Sequence, residues 1–91
     1  MEPIHIPITD ELDLHTFQPK EVADLLSDYF EACVEAGILS VRIVHGKGRS
    51  ILKHRVQSAL KKNPLVKSFK DAPPEAGGWG ATRVELRRPG D

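Results

Sequence analysis

The sequence contains little cysteine and few aromatic residues: Cys33 is its only cysteine, and 5% of the 91 residues are Phe, Trp or Tyr. A single cysteine excludes an internal disulfide bond and a multi-cysteine metal cluster, which favours a cytoplasmic setting. No apolar run reaches the roughly 20 residues of a membrane-spanning helix, so we expect no membrane partner. We also expect no signal peptide before the fold. The short chain then favours one small domain with one hydrophobic core.

The net charge is zero, but the charges are unevenly distributed along the chain. Residues 1–45 carry two basic and nine acidic side chains, a net charge of −7, whereas residues 46–91 carry eleven basic and four acidic ones, a net charge of +7. This asymmetry favours an anionic partner on the second half. The alternative is that the acidic residues of the first half merely form the solvated face of a helix.

The start of the chain predicts an extended arm followed by a short strand. Residues 1–10 contain two prolines, which are incompatible with a central strand, so this segment is predicted to be an N-terminal arm. Apolar and polar residues alternate in Leu12-Asp13-Leu14-His15. This alternation predicts a strand with Asp13 and His15 on one side and the two leucines on the other.

The remaining elements alternate between helices and strands. Helices are predicted from Pro19 to Gly37 and from Ser50 to Lys62, because apolar residues recur there at helical spacing. Pro19 suits a first helical turn and Gly37 a helix end. Further strands are predicted at Leu39–Val44, Leu65–Asp71 and Ala81–Arg88. Cys33 lies on the apolar stripe of the first helix, which indicates a core residue rather than a nucleophile.

The element order β-α-β-α-β-β predicts an α/β two-layer sandwich, with both helices on one face of a four-stranded mixed sheet. Two helical crossovers imply parallel pairing of the first three strands, and the short last connection allows antiparallel pairing. The domain is predicted to span residues 11–88, and residues 89–91 are predicted to be a frayed tail. The order of the strands stays open.

Three polar residues are predicted to meet where the strands end. His15 follows the first strand and His45 the second, and Asp13 points the same way as His15, so all three are expected at the carboxyl edge of the sheet. Two imidazoles can act as general base and general acid, with the carboxylate orienting one of them. Alternatively, the three side chains hold a divalent metal, or His45 and Asp13 only bind turn backbone groups.

Two glycine-containing segments complete the predicted edge. The first is a predicted turn that comprises Gly46, Lys47, Gly48 and Arg49. A basic, glycine-containing turn directly before a helix N-terminus is typical of a phosphate-binding site. The loop before the last strand contains Gly78, Trp79 and Gly80. Trp79 is predicted either to stack on a base or to cover the small core.

These segments resemble the three signatures of the Smr (small MutS-related) domain family. The matching segments are Leu12-Asp13-Leu14-His15, His45-Gly46-Lys47-Gly48 and Gly77-Gly78-Trp79-Gly80-Ala81-Thr82. They stand in the family's order, and the resemblance covers Ile8 to Arg87. Without a P-loop, the chain is similar to stand-alone bacterial members rather than to the tail of a mismatch-recognition ATPase.

The resemblance implies a fold similar to the C-terminal domain of translation initiation factor three, nucleic-acid binding, and in several members endonuclease activity. It implies roles in cleavage for Asp13, His15 and His45, and a role in nucleic-acid contact for the matching positions of the other segments, Lys47, Gly48, Gly78 and Gly80. Many members have glycine after the first histidine, whereas here Thr16-Phe17 follows. We expect that departure to change the turn beside His15 and, through it, substrate preference or cleavage.

The sequence therefore predicts a nucleic-acid endonuclease that nicks DNA or cleaves RNA and binds the sugar–phosphate backbone at the Gly46–Arg49 turn. No cofactor is certain; a divalent metal, Mg²⁺ or Mn²⁺, is the candidate. The alternative hypothesis is a non-catalytic DNA- or RNA-binding module. A third is a protein-interaction domain that uses the acidic first helix. The choice between DNA and RNA, the need for a metal and the oligomeric state stay open.

Overall fold

The computed structural model describes residues 8–46, 50–76 and 78–88 of the chain, without the side chains of Ser50, Ala76 and Trp79. Most of the predicted arm and the predicted tail lie outside the described residues. The strands are β1 (Glu11–Asp13), β2 (Ser40–Val44), β3 (Val66–Asp71) and β4 (Ala81–Leu86). The helices are α1 (Val22–Glu35) and α2 (Ser50–Lys62), and short 3-10 turns occupy Pro19–Glu21, Pro74–Ala76 and Gly78–Gly80.

The four strands form one mixed sheet in the order β1-β2-β4-β3. β1 pairs with β2 in parallel, and β4 pairs antiparallel with both β2 and β3. The predicted mixed sheet is confirmed, but the expected parallel pairing of β2 with β3 is wrong, because β4 lies between them. The physical reason is burial: β4 carries four buried residues, whereas β3 is mostly exposed and suits an edge.

The sequence around α1 fixes both ends of this helix. At its start, the Gln18 N–H donates to Glu21 Oε2 at 2.9 Å, and Pro19 occupies the first turn. At its end, the Ile38 N–H donates to the Cys33 carbonyl at 2.8 Å, and the Gly37 N–H donates to the Val34 carbonyl at 3.1 Å. This pair of bonds is a Schellman motif, and Gly37 supplies the required left-handed residue with φ +80°.

Gly37→Ala is expected to lower the free energy of unfolding by about 1 kcal/mol, because alanine is strained in the left-handed region. A clash contributes nothing, since an added Cβ would meet no heavy atom within 4 Å. Gly37→Asn is the matched comparison and should lose less, because asparagine tolerates this region. Urea denaturation measures both variants, and a Gly37→Ala protein as stable as wild type would contradict the role given to this residue.

Both helices pack on one face of the sheet, and the hydrophobic core lies between the two layers. The largest fully buried apolar side chains come from both layers: Phe30, Leu14, Leu26, Ile43, Leu52 and Leu60. Cys33 is fully buried in this core, as predicted. The opposite face of the sheet is polar, with Arg83 and Glu85 exposed on β4. No helix in the described residues is long and apolar enough to cross a membrane.

Candidate functional site

Backbone hydrogen bonds join the three signature segments at one edge of the sheet. The Leu14 N–H, just after β1, donates to the carbonyl of Val44 at 2.7 Å. The N–H groups of His45 and Gly46 both donate to the Gly80 carbonyl, at 3.0 and 2.9 Å. Gly46 has φ +87°, a conformation that glycine adopts without strain. The end of β1, the end of β2 and the start of β4 therefore form one continuous rim.

Asp13 and His15 form an exposed pair on this rim. One carboxylate oxygen of Asp13, Oδ1, lies 2.5 Å from His15 Nδ1 and also accepts the His15 backbone N–H at 3.0 Å. The backbone bond is an Asx turn, in which a carboxylate binds the backbone two residues later. The side chains are 48% and 59% exposed, respectively. Because the carboxylate engages Nδ1, it fixes the orientation of the ring and directs Nε2 to the opposite side.

The Asp13 carboxylate is held in its charged form. Partial burial acts to raise its pKa, but the His15 backbone N–H, the His15 ring and Arg42 outweigh that effect, so the pKa lies below its ordinary value. Arg42 comes from β2, where its guanidinium also pairs with Glu11 at 2.5 Å. At neutral pH the carboxylate can therefore stabilise an imidazolium that forms on His15.

The turn after His15 forms without a glycine. The Phe17 N–H donates to the Leu14 carbonyl at 2.9 Å, and the half-buried Phe17 ring packs against the core. Among the described residues, positive φ angles occur only at three glycines elsewhere in the chain. Thr16 is exposed beside the histidine. The departure at Thr16-Phe17 thus leaves the Asp13–His15 contact intact.

His45 does not face the rim as the sequence analysis expected. Its side chain is fully buried, and its Nε2 lies 2.9 Å from the hydroxyl oxygen of Thr82, which is also fully buried. The reason is the alternation of β2, in which Val41, Ile43 and His45 point to the core. Asp13 and His15 belong to the opposite, solvent-facing set of β1. The two histidines therefore lie on opposite faces of the sheet edge.

The buried imidazole of His45 is neutral. Burial lowers its pKa, as does nearby Lys53, and these effects outweigh the opposing effects of the Gly46 backbone and Asp71. Lys53 and Asp71 pair with each other at 3.1 Å. The Nδ1 atom of His45 is buried and has no hydrogen-bond partner among the described residues. A protonated ring would be costly here, since a buried charge needs a partner.

This burial predicts how stability depends on pH. The folded-state pKa of His45 lies below the ordinary value of 6.5, so the unfolded chain binds a proton first as the pH falls. The stability from the neutral ring is therefore complete above about pH 6.5 and decreases as the pH falls toward the folded-state pKa. We expect the unfolding free energy, measured in urea, to decrease over this range, and a His45→Gln variant to show a flatter dependence. Equal slopes in the two proteins would contradict this account.

Comparisons with known proteins show the family and the fold. The family model described as "Smr domain" matches residues 12–87. The chain belongs to the Smr domain family. The chain also matches solved structures over 87% of its length. The Smr domain of Thermus thermophilus MutS2 superposes with a TM-score of 0.81 at 35% identity, over 99% of that chain. YdaL, a stand-alone small MutS-related protein from Escherichia coli, superposes with 0.79 at 28% identity, over 65% of that chain.

Curated relatives carry the Smr domain within much longer proteins. The chain is 39% identical over 79 residues to "Endonuclease MutS2" of Thermomicrobium roseum and 40% identical over 79 residues to that of Lactobacillus gasseri. Each alignment covers 87% of this chain, which spans about 10% of the length of these relatives. The predicted family and the predicted two-layer α/β fold are confirmed.

The glycine segments of this Smr domain are only partly described. Lys47, Gly48 and Arg49 lie outside the described residues, as does the side chain of Trp79. Gly80 is buried and supplies the carbonyl that joins β2 to β4. The Gly78 N–H donates to the Pro73 carbonyl at 3.0 Å, and its φ is +56°. The described glycines thus shape the rim through their backbones, and the nucleic-acid roles predicted for this set stay predictions.

Sequence reasoning missed two contributors to the rim of the Smr domain. Thr82, on β4, lies within hydrogen-bond distance of the buried His45 ring. Arg42, on β2, helps to keep the Asp13 carboxylate charged. Thr82 carried a signal, since it is a polar residue on the apolar side of an alternating strand. Among the described residues, no three His, Cys, Asp or Glu side chains come together to hold a metal ion. On the exposed side of the rim, Asp13 and His15 supply two side chains that can act as metal ligands.

Proposed function

We propose that this Smr domain binds nucleic acid at the rim and cleaves its phosphodiester backbone with Asp13 and His15. The observation that carries the proposal is the exposed Asp13–His15 contact, positioned where all three signature segments are joined. The names of the MutS2 relatives, which call them endonucleases, support it. Whether the strand is DNA or RNA is an outcome of the experiment below.

In the proposed mechanism, His15 is the general base. Its Nε2 takes a proton from a water molecule or a sugar hydroxyl as that oxygen attacks phosphorus and the bond to the leaving oxygen breaks. Asp13 stays ionised and stabilises the imidazolium that forms, as carboxylates do in catalytic triads. The imidazolium then returns its proton to the leaving oxygen or to solvent. If a divalent metal is required, the Asp13 carboxylate would hold it, and the metal would supply a bound water of lowered pKa.

The Gly46–Arg49 turn is proposed to seat the phosphate. Gly46 is a glycine with φ +87° and adds no side chain that would hinder a ligand, and α2 begins four residues later at Ser50, where the positive end of its helix dipole lies. Lys47 and Arg49 would add positive charge beside a phosphate oxygen. This arrangement supplies electrostatic stabilisation from the backbone and the turn, whereas Asp13 and His15 supply the proton transfer.

His45 is proposed to act as a positioning residue rather than a catalytic one. Its ring cannot touch a substrate from a fully buried position, but it binds Thr82 and lies directly before the turn. It thereby fixes the end of β2 against β4. Its substitution is expected to reduce activity through the stability and shape of the rim.

A cleavage assay tests the proposal directly. Supercoiled plasmid and end-labelled RNA are incubated with the wild-type chain, with added Mg²⁺ or Mn²⁺ and with a chelator. The wild type should nick or cut one substrate, and His15→Ala should not. His54→Ala is the matched control, because it removes an exposed histidine from the outer side of α2. Equal cleavage by wild type and His15→Ala would overturn the assignment.

One observation favours a second candidate function, a nucleic-acid-binding module without chemistry. Burial of His45 leaves one exposed histidine at the rim instead of the expected pair. Binding without cleavage would then appear as affinity that falls steeply with salt, because phosphate contacts release counterions. A chain that binds but cuts neither substrate under any metal condition would establish this alternative.

A further inference from the structure

A cleft separate from the rim lies between the start of α1 and the outer side of α2. Its volume is about 140 Å³, and it is lined by cationic and polar side chains over small apolar ones, namely Lys20, Arg55, Ser58, Lys62, Pro19 and Ala59. The cleft is therefore large enough to admit a phosphate group.

Three cations surround this cleft and no carboxylate lines it. Within the described part of the chain, none of the three takes part in an ion pair or a side-chain hydrogen bond, whereas Lys53 on the same helix pairs with Asp71. α2 contains no acidic residue from Ser50 to Lys62. Like charges gathered without a counter-charge repel one another, so the arrangement favours an anionic occupant.

The helix ends account for only one of these cations. Lys62 lies in the last turn of α2, where a cation stabilises the negative end of the helix, but Lys61 serves the same purpose and does not line the cleft. Arg55 is in the middle of α2. Lys20 precedes α1, at the positive end of that helix, where a cation is unfavourable.

The chain connects this cleft to the candidate site. The segment that leaves the Asp13–His15 pair reaches Lys20 five residues after His15, and it enters the 3-10 turn that forms one wall. The other wall is α2, which begins directly after the turn proposed to seat a phosphate. Both walls of the cleft are therefore continuous in the chain with segments of the candidate site.

We propose that this cleft is a second phosphate-binding subsite, which takes another phosphate of the strand bound at Asp13 and His15. The inference rests on the proposed function, because it assigns the same nucleic-acid ligand to a second place. Arg55 offers a planar set of donors for phosphate oxygens, and Lys20 and Lys62 add point charges. The Ser58 hydroxyl supplies a further donor.

The test measures affinity for a labelled single-stranded oligonucleotide over a series of salt concentrations, using the full chain. Arg55→Gln and Lys62→Gln should each weaken binding by about 3- to 10-fold at low salt and reduce the salt slope by roughly 0.7, the value for one lost phosphate contact on a single strand. Lys61→Gln is the matched control and should change affinity by less than about twofold. Arg55→Lys should restore part of the affinity.

Cleavage kinetics separate this inference from the proposed function. The cleft variants should raise KM and leave kcat unchanged, because they remove binding away from the reacting atoms. Equal losses in Lys61→Gln and Lys62→Gln would overturn the subsite, since net charge alone would explain both. A wild-type chain without salt-dependent affinity would overturn the proposed function and the subsite together.

Discussion

Replacing Asp13 with asparagine is expected to slow cleavage by about 100-fold or more, while nucleic-acid affinity changes by less than about twofold. Asparagine keeps an oxygen that can accept the His15 backbone N–H, so the turn survives. It removes the negative charge that stabilises a protonated imidazole next to it. The variant thus separates proton transfer from binding, and single-turnover cleavage rates with saturating enzyme measure the difference.

Glu11→Gln is the matched control for this experiment. Glu11 is an exposed carboxylate on the same strand, two residues before Asp13, and it pairs with Arg42 rather than with a histidine. The Glu11→Gln variant should cleave nucleic acid at close to the wild-type rate. If Asp13→Asn and Glu11→Gln lose activity equally, the effect belongs to the charge of β1 and the Asp13–His15 pair has no special role.

Replacing His45 with alanine is expected to lower the free energy of unfolding by about 3 kcal/mol. Two costs combine, because the change opens a cavity in the core and leaves the buried Thr82 hydroxyl without its hydrogen bond. Loss of cleavage in this variant should accompany loss of stability. Urea denaturation at neutral pH, monitored by circular dichroism, gives the free energy directly.

His54→Ala provides the control for His45, because it removes an exposed imidazole and should change stability by less than about 0.5 kcal/mol. The loss of unfolding free energy in His45→Gln should lie between those of His54→Ala and His45→Ala, because glutamine preserves the volume and the hydrogen-bonding groups of the side chain better than alanine does. A His45→Ala variant that is as stable as wild type yet inactive would contradict the buried role. The imidazole would then have to reach the substrate.

The helices and their ends were readable from the sequence because their determinants are local. The apolar spacing of α1, Pro19 before it and Gly37 at its end act within a few residues. The structure shows the apolar face and the glycine end as predicted, whereas Pro19 opens a 3-10 turn and α1 itself begins at Val22. The order of the strands was not readable in this way. Alternation shows which face of β4 is buried. It carries no information on whether β4 lies between β2 and β3 or at the edge of the sheet.

The placement of His45 could have been predicted and was not. The residue continues the alternation of Val41 and Ile43, so the same rule that placed Asp13 and His15 on the solvent side puts His45 on the core side. Its position at the end of β2 led instead to the prediction that His45 faces the rim. The polar Thr82 on the apolar side of β4 marks the position where a buried imidazole finds a hydrogen bond.

The basic cleft illustrates what sequence cannot supply. Arg55 and Lys62 share a helix face by spacing alone, but Lys20 reaches them only because the start of α1 packs beside the second half of α2. That juxtaposition depends on how the two helices pack against each other within one layer, which no local pattern encodes. The charge asymmetry between the two halves of the chain indicated an anionic partner but not where it binds.

The central claim is that a nucleic-acid strand meets His15 at the rim while His45 stays neutral in the core. NMR of the imidazole rings, recorded with and without an uncleavable oligonucleotide and across a pH series, tests it most directly. The account predicts that the His15 ring signals shift when the oligonucleotide binds and that the His45 ring remains neutral as the pH falls to about 6.5. A His45 ring that titrates at its ordinary pKa and responds to the oligonucleotide, beside an unchanged His15, would contradict it.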